Sequence, residues 1–486
     1  MTYRERDLLY NEKLGGTIQQ KLVSGDESNE TTRLQNKPVK LQPSWEENNL
    51  SDAELNFKNL TMDEASLQIC TPPDKYSFVY IIFLIHGIAT LLPWNMFINA
   101  ISYFIEHKLA KDNIGFDFPY VSNFMQILTF CSQVPNVIFN WFNIFVPLKG
   151  DLTLRIMWSI AINIMLFIIT VALAMVNTSQ WPYEFFYITM LSVVILNMAN
   201  GVYQNTVYGM AAKLPPKYIG AVILGNNICG TFITIVCIAS NYISASKKMA
   251  AIWYFITALF VLLIGFDTYF ALPLNRYYRH YDLKEKKQQE QRKTVDNTIE
   301  RPPYLYILKK AWPQMYNVFI TIFATLAVFP SIHAAIKVSD KNFFIQEKFL
   351  YTQVLCFLTF NVFAVLGNIL TNVYIWPSKK YLWIPTTLRL LYIPFYLFCN
   401  YQPPHEITRV LPVFITNDYV YWAVAATMAF TSGYFSSVAM MYTPSTVESQ
   451  YASVAGMFAG ASLISGIFGG ILISFLWPWF ITHVGW

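Results

Sequence analysis

Three series of uncharged polar residues stand inside otherwise apolar stretches. In 119–146, Thr129, Gln133, Asn136, Asn140 and Asn143 recur at steps of three and four, and in 183–211 Asn197, Asn200 and Gln204 do the same. In 350–375, Asn361 and Asn368 lie seven apart with Ala364 between them. Helical spacing puts each series on one face. An amide donates and accepts, so several such faces turned toward one another could hold a neutral polar solute by hydrogen bonds alone. A single amide could equally well bond a neighbouring helix. Several amide faces in one chain are harder to explain as glue between helices.

Chemistry that makes or breaks bonds finds little support. His405-Glu406 is followed by Arg409 where a zinc-binding helix needs a second histidine, and neither a phosphate loop nor a nucleophile elbow is present. The cysteines lack metal-ligand spacing and read as free thiols. No metal or cofactor is expected, and an enzyme is a poor class. Ionisable residues inside the apolar runs are few: His86, Arg155, Glu184, Asp267, His333 and Arg389. Scarce carboxylates favour passive exchange over ion coupling.

The elements that position these residues follow from composition. The chain has 486 residues, 55% apolar and only 13% charged, which suits a bilayer and not water. A hydrocarbon core of ~30 Å needs about 20 apolar residues per helical crossing. Windows of that length predict an all-α integral membrane protein with spans at 78–105, 119–146, 152–176, 183–211, 219–243, 251–274, 312–334, 350–375, 383–401, 419–443 and 452–480. The expected domains are a disordered cytosolic tail (1–77), a six-helix bundle (78–274), a cytosolic loop (275–311), a five-helix bundle (312–480) and a short outer end (481–486). This six-plus-five division suits two bundles facing a central path. With the amino terminus cytosolic, the inner connections hold 16 Lys and Arg against 8 outside. The net charge of +5 is spread over several loops, so membrane lipid is the expected surroundings and nucleic acid is not an expected partner. A small-xxx-small pair, Gly456 with Gly460 in the last span, predicts close helix packing, and Gly225 and Gly230 in the fifth are expected to do likewise. A sequon at Asn177 falls on the expected outer side.

Pro93-Trp94-Asn95, within the run from Leu91 to Ala100, resembles the first-helix signature of the equilibrative nucleoside transporters. Other stretches agree in order: Gln204 with Tyr208-Gly209, Gly225 with Gly230, Leu272-Pro273 before Tyr277-Tyr278-Arg279, Phe329-Pro330, Thr359 to Phe363 with Gly367, and Arg389 to Pro394. The resemblance runs from about Tyr76 to the carboxyl end. It implies a major-facilitator-like arrangement and facilitated diffusion of nucleosides, with nucleobases as an extension, by alternating access. It implies that Trp94 and Gln204 contact substrate, Asn361 lines the site, Arg389 supports it, and Ile98, Phe329 and Pro330 stand near the outer gate. From the amide stripe, Gln133 and Asn136 join the candidate site.

One departure bears on selectivity. Where the family's eighth helix carries an Asp and, four residues later, an Arg engaging the sugar region, this chain has Ala364 and Asn368. Joint loss is chemically coherent, since losing one partner alone strands a buried charge. It also removes charge-assisted hydrogen bonds. Two other readings therefore stay open: a carrier of another neutral polar metabolite, and a non-transporting receptor or scaffold acting through the tail. The plasma membrane is the expected location. Glu5-Arg6-Asp7-Leu8-Leu9 resembles an acidic dileucine signal and keeps an endolysosomal membrane as the alternative.

Overall fold

The computed structural model describes residues 72–121, 123–146, 152–243, 247–284, 302–340, 343–402 and 409–484. Residues 1–71 of the expected tail and much of the expected 275–311 loop lie outside them; the end of the tail is ordered, with a helical turn at Lys75–Ser77 and Asp74 accepting from the Tyr218 hydroxyl (2.9 Å). Among the described residues the regular structure is helical, with two isolated bridges, Ile336 with Tyr401 and Cys399 with Ile415. Helices α1 (Phe78–Asn99), α2 (Phe124–Phe145), α3 (Leu152–Met175), α4 (Pro182–Ala211), α5 (Lys217–Ile243) and α6 (Lys247–Ala271) come first. After them come α7 (Tyr304–Leu326), then α8, which runs through Lys348–Tyr351 and a π-helical Thr352–Leu358 into Thr359–Leu370. α9 is broken, with a tight turn Arg389–Leu391 between Trp383–Leu388 and Tyr392–Leu397. α10 (Asp418–Tyr442), α11 (Ala452–Ser474) and a terminal helix, Trp477–His483, complete the chain.

Seven of these described helices, α1, α3, α4, α5, α6, α8 and α11, are long and apolar enough to cross a membrane. α2, α7 and α10 carry amides and hydroxyls that lower their hydropathy, and α9 is interrupted. Large apolar side chains such as Trp158, Trp253 and Phe260 are exposed, as a lipid-facing surface requires.

α7 begins earlier than apolarity alone predicts. Pro302 and Pro303 stop the preceding chain, and the helix then runs through Lys309 and Lys310 before its apolar part begins. It ends where Pro330, lacking an amide hydrogen, cannot continue the ladder. Elsewhere the Asn417 side chain accepts the Tyr419 and Val420 amides, capping α10.

α1 to α6 pack chiefly on one another, α1 on α5, α2 and α3 on α4, and α6 on α1 and α3. Likewise α7 packs on α9, α10 and α11, and α8 on α10. Glycines permit the closest approaches: a Cβ on Gly225 would strike the Leu84 carbonyl, and one on Gly433 would strike the Ala364 carbonyl. The two groups meet through α4 and α2 against α11 and through α5 against α8 and α10. Many of these meetings lie at one end, where α5, α7 and α11 begin and α2, α4 and α10 finish. There Gly456 and Gly460 press on Tyr208, Tyr304 meets Phe145, and Phe458 packs on Trp141.

Candidate functional site

On α1, Pro93 interrupts the ladder, and Trp94 and Ile98, four residues apart on one face, are half-buried. Behind them a buried network ties α1, α5 and α4: Thr90 donates to Asn226 (3.1 Å), and the Asn226 amide donates to the Tyr208 hydroxyl (2.9 Å). His86 and the Tyr203 hydroxyl are 2.7 Å apart. Gln204 is buried beside Tyr208, yet neither atom of its amide makes a hydrogen bond that satisfies ordinary geometry. A buried polar group without a partner costs about 1–3 kcal/mol. Such a group makes sense where a solute binds.

The α2 stripe divides in two. Its lower part is bonded: within α2 Asn140 donates to Asn136 (3.3 Å), its own oxygen staying unpaired, and Asn143 joins α2 to α4 by donating to Asn205 (2.9 Å) and Thr206 (3.1 Å). Arg155 donates to the Asn143 oxygen from α3 (3.1 Å). Asn136 also abuts α4 directly, for a Cβ on Gly201 would lie 2.7 Å from its carbonyl oxygen. Its upper part retains unpaired atoms: the buried Gln133 oxygen has no partner, nor do the side-chain oxygens of Asn197 and Asn200 on α4. Gln133, Asn200 and Gln204 are thus the stripe members whose hydrogen-bonding capacity is most open.

On α8 the three expected residues have separate surroundings. Asn361 reaches across to α5, donating to Thr234 (3.2 Å) and, within its own helix, to the Phe357 carbonyl (2.9 Å). The Ala364 backbone lies against Gly433 of α10. Asn368 is buried and donates to Ser437 of α10 (2.5 Å), leaving its oxygen unpaired. A neutral amide–hydroxyl contact therefore occupies the position where the resemblance implied an Arg.

Arg389 sits in the broken turn of α9 and is 2% exposed. Its guanidinium donates to the Met428 carbonyl (3.1 Å), to the Thr431 hydroxyl and to the Thr325 hydroxyl (2.7 Å), and lies over the Tyr392 ring. Thr325 in turn lies 3.0 Å from the Ser432 hydroxyl. Among the described residues it has no carboxylate partner, and its Nε atom is unpaired. The arginine thus fastens α9 to α7 and α10 through neutral acceptors. Sequence reasoning missed those partners; Thr321 and Thr325, four apart on α7, are the signal that could have suggested them.

Phe329 leaves the end of α7 and stacks on Phe360 of α8 at 3.9 Å between ring centres, with Phe357 at 5.7 Å and His333 at 6.1 Å. A Cβ on Gly230 would fall on the Asn361 side-chain oxygen, and Gly456 and Gly460 admit Tyr208 and Ala212.

Two features outside the apolar spans are electrostatic. Lys310 and Glu448 pair at 2.8 Å, and this contact, with backbone and Tyr306 hydrogen bonds, holds the Glu448 carboxyl down to about 2. Lys108 donates to the Leu173 and Val176 carbonyls at the end of α3 (2.9 and 2.6 Å). Burial, with the nearby Lys248, pushes its ammonium down to about 8.

The sequence model described as "Nucleoside transporter" matches residues 190–479. Equilibrative nucleoside transporter 1 of Homo sapiens is 29% identical over 452 residues, covering 83% of this chain and 98% of that protein. Equilibrative nucleoside transporter 2 of Homo sapiens is 27% identical, with the same coverage of each chain. Equilibrative nucleotide transporter 1 of Arabidopsis thaliana is 23% identical, over 84% and 87%. The solved structure of the proton:xylose symporter XylE, of the major facilitator superfamily, aligns with a TM-score of 0.55 at 9% identity, over 84% of this chain and 90% of that one.

Proposed function

Because the chain belongs to the nucleoside transporter family, we propose that Trp94, Gln133 and Gln204 bind a nucleoside as it crosses. The fold is that of the major facilitator superfamily, and the protein is a transporter and not an enzyme. Its activity is facilitated transport of nucleosides across a membrane. The observation that carries the site assignment is the Gln204 amide, buried beside the Tyr208 hydroxyl with neither atom in a well-formed hydrogen bond. Trp94 stacks on the base, while Gln204 and Gln133 bond its polar edge. Asn136 backs this face through α4. Asn361, Ala364 and Asn368 form the facing wall, Arg389 holds the helices behind it, and Ile98, Phe329 and Pro330 form the outer gate.

Eleven crossings in a six-plus-five arrangement suit the two packing groups, α1 to α6 and α7 to α11. With the amino terminus cytosolic and the carboxyl end outside, the end sealed by Gly456, Gly460 and Tyr208 is the cytosolic one, so the solute enters this conformer from outside. The plasma membrane is the location this reading assigns. The neutral Asn368–Ser437 contact favours a second possibility for selectivity: nucleobases carried alongside nucleosides, since no charged group is offered to the sugar at that point.

The test is uptake of labelled uridine, adenosine and adenine into cells deficient in nucleoside transport, with surface abundance measured. The natural protein, Trp94→Ala, Gln204→Ala and the Ala364→Asp, Asn368→Arg double variant are compared. Saturable, sodium- and proton-independent nucleoside flux that falls in both single variants is the expected result. Unchanged flux in both would sink the site assignment, and flux restricted to adenine until the double variant is made would reassign the substrate.

A further inference from the structure

Breaking α7 at Pro330 leaves backbone groups to be satisfied at the turn that carries Phe329. The Phe329 amide finds Thr325, and the Ile332 and His333 amides find Val328. No backbone amide among the described residues reaches the Ala327 carbonyl. Instead the indole Nε1 of Trp477, from the helix beyond α11, donates to it at 2.6 Å. A carbonyl freed by a helix break is thereby satisfied from another element, as buried backbone groups require.

The element that presents Trp477 is itself held at both ends. Along its middle, α11 lies close on α7: a Cβ on Gly466 would come within 2.8 Å of the Phe319 carbonyl, and one on Gly470 within 2.8 Å of the Phe323 carbonyl. At its beginning the same helix makes the seal between the two groups of helices. Asn205 of α4 donates to the Met457 carbonyl (2.8 Å) there, and farther along, at mid-helix, Trp141 of α2 donates to Ser465 (3.0 Å). One helix therefore touches the closed end through Met457 and, through the segment that follows it, touches the gate turn at Ala327.

We propose that Trp477 is a positioning residue for transport: it ties the Phe329-bearing turn to α11, so that this placement of the gate and closure of the far end belong to one state. The inference rests on the transport reading, because it assumes that the two ends open in alternation. Its chemical content is the single N–H donor. On this proposal the bond belongs to the sealed state, so removing the donor leaves the Ala327 carbonyl unpaired there and shifts the balance toward the state open at the α11 start.

The experiment uses the full chain with a reporter cysteine, Ala455→Cys, which replaces a fully buried residue within the seal. A membrane-impermeant maleimide is applied to inside-out vesicles, and labelling is measured against protein lacking the added cysteine. Trp477→Phe keeps an aromatic ring without the donor, and is expected to raise the labelling rate about fivefold, the net worth of one hydrogen bond. Trp477→His, which retains a ring N–H, is expected to recover part of the difference. Uridine uptake measured in parallel should show the apparent KM for outside substrate rising more than the maximal rate falls. Unchanged labelling in Trp477→Phe at normal abundance overturns the proposal. Loss of protein from the membrane in Trp477→Phe and Trp477→His alike also overturns it, for the tryptophan would then serve folding alone. Absence of nucleoside uptake by the natural protein would defeat the transport reading instead, while a labelling change would still show Trp477 acting on the seal.

Discussion

The side-chain oxygen of Asn361 on α8 lies where a Cβ on Gly230 of α5 would have to stand. The missing side chain of one residue is the seat of the other, at a contact between the two groups of helices. Gly230→Ala should therefore force α5 and α8 apart or turn Asn361 off its Thr234 bond. Overpacking of this kind costs about 1–3 kcal/mol. Uptake per surface molecule is expected to fall at least tenfold, and Asn361→Ala in the same chain should restore part of it. Equal losses in the single and double variants would show that the two residues do not share this space.

The same pair illustrates what was legible in the sequence. Apolar windows locate α1 to α11 within several residues, because length and hydropathy are local properties. The start of α7 at Tyr304 was not legible from apolarity, since its first turns carry Lys309 and Lys310 outside the apolar part. The amide faces were legible as faces, but not which amides are left free. Asn143 bonds Asn205 and Thr206, whereas Gln204, on the same α4 as those two, only approaches the Tyr208 hydroxyl. Partner choice depends on where another helix falls, which spacing within one helix does not encode. For the same reason Arg389 could be seen as a buried cation needing a partner, while Thr325, Met428 and Thr431, on two other helices, could not be named.

Gln204 separates stability from function. If its unpaired amide exists for the solute, Gln204→Leu removes a desolvation cost along with the site. The variant should melt at the same temperature as the natural protein or higher, in detergent without substrate, while uptake falls at least tenfold. Adding uridine should then stabilise the natural protein and not the variant. A variant that melts several degrees lower would mean that the amide is bonded within the fold.

Arg389 answers to geometry more than to charge. Its two terminal nitrogens reach α10 and α7 together, a fork that a lysine ammonium does not reproduce. Arg389→Lys is expected to lower the melting temperature and to reduce uptake, with the charge retained. Thr325→Val, which removes one acceptor and keeps the shape, should do the same to a lesser degree. If Arg389→Lys melts and transports normally, the role is one of charge, and the bonds to Thr325 and Met428 are incidental.

Lys108 supplies a test by pH. Its ammonium caps the end of α3 through two carbonyls, yet burial and then Lys248 lower its proton affinity to about 8, from the usual lysine value of 10.5. The folded protein therefore binds fewer protons than the unfolded chain between those two values. The penalty for charging Lys108 is fully present below about 8 and is relieved as pH rises toward 10.5, so stability contributed by this group increases with pH in that window. Lys108→Met lacks the titration. The melting temperature of the natural protein relative to that variant should rise between pH 8 and pH 10, and should be level between pH 6 and pH 7. A difference that is constant over the whole range would mean that the Leu173 and Val176 carbonyls hold the ammonium charged, and that burial does not govern this group.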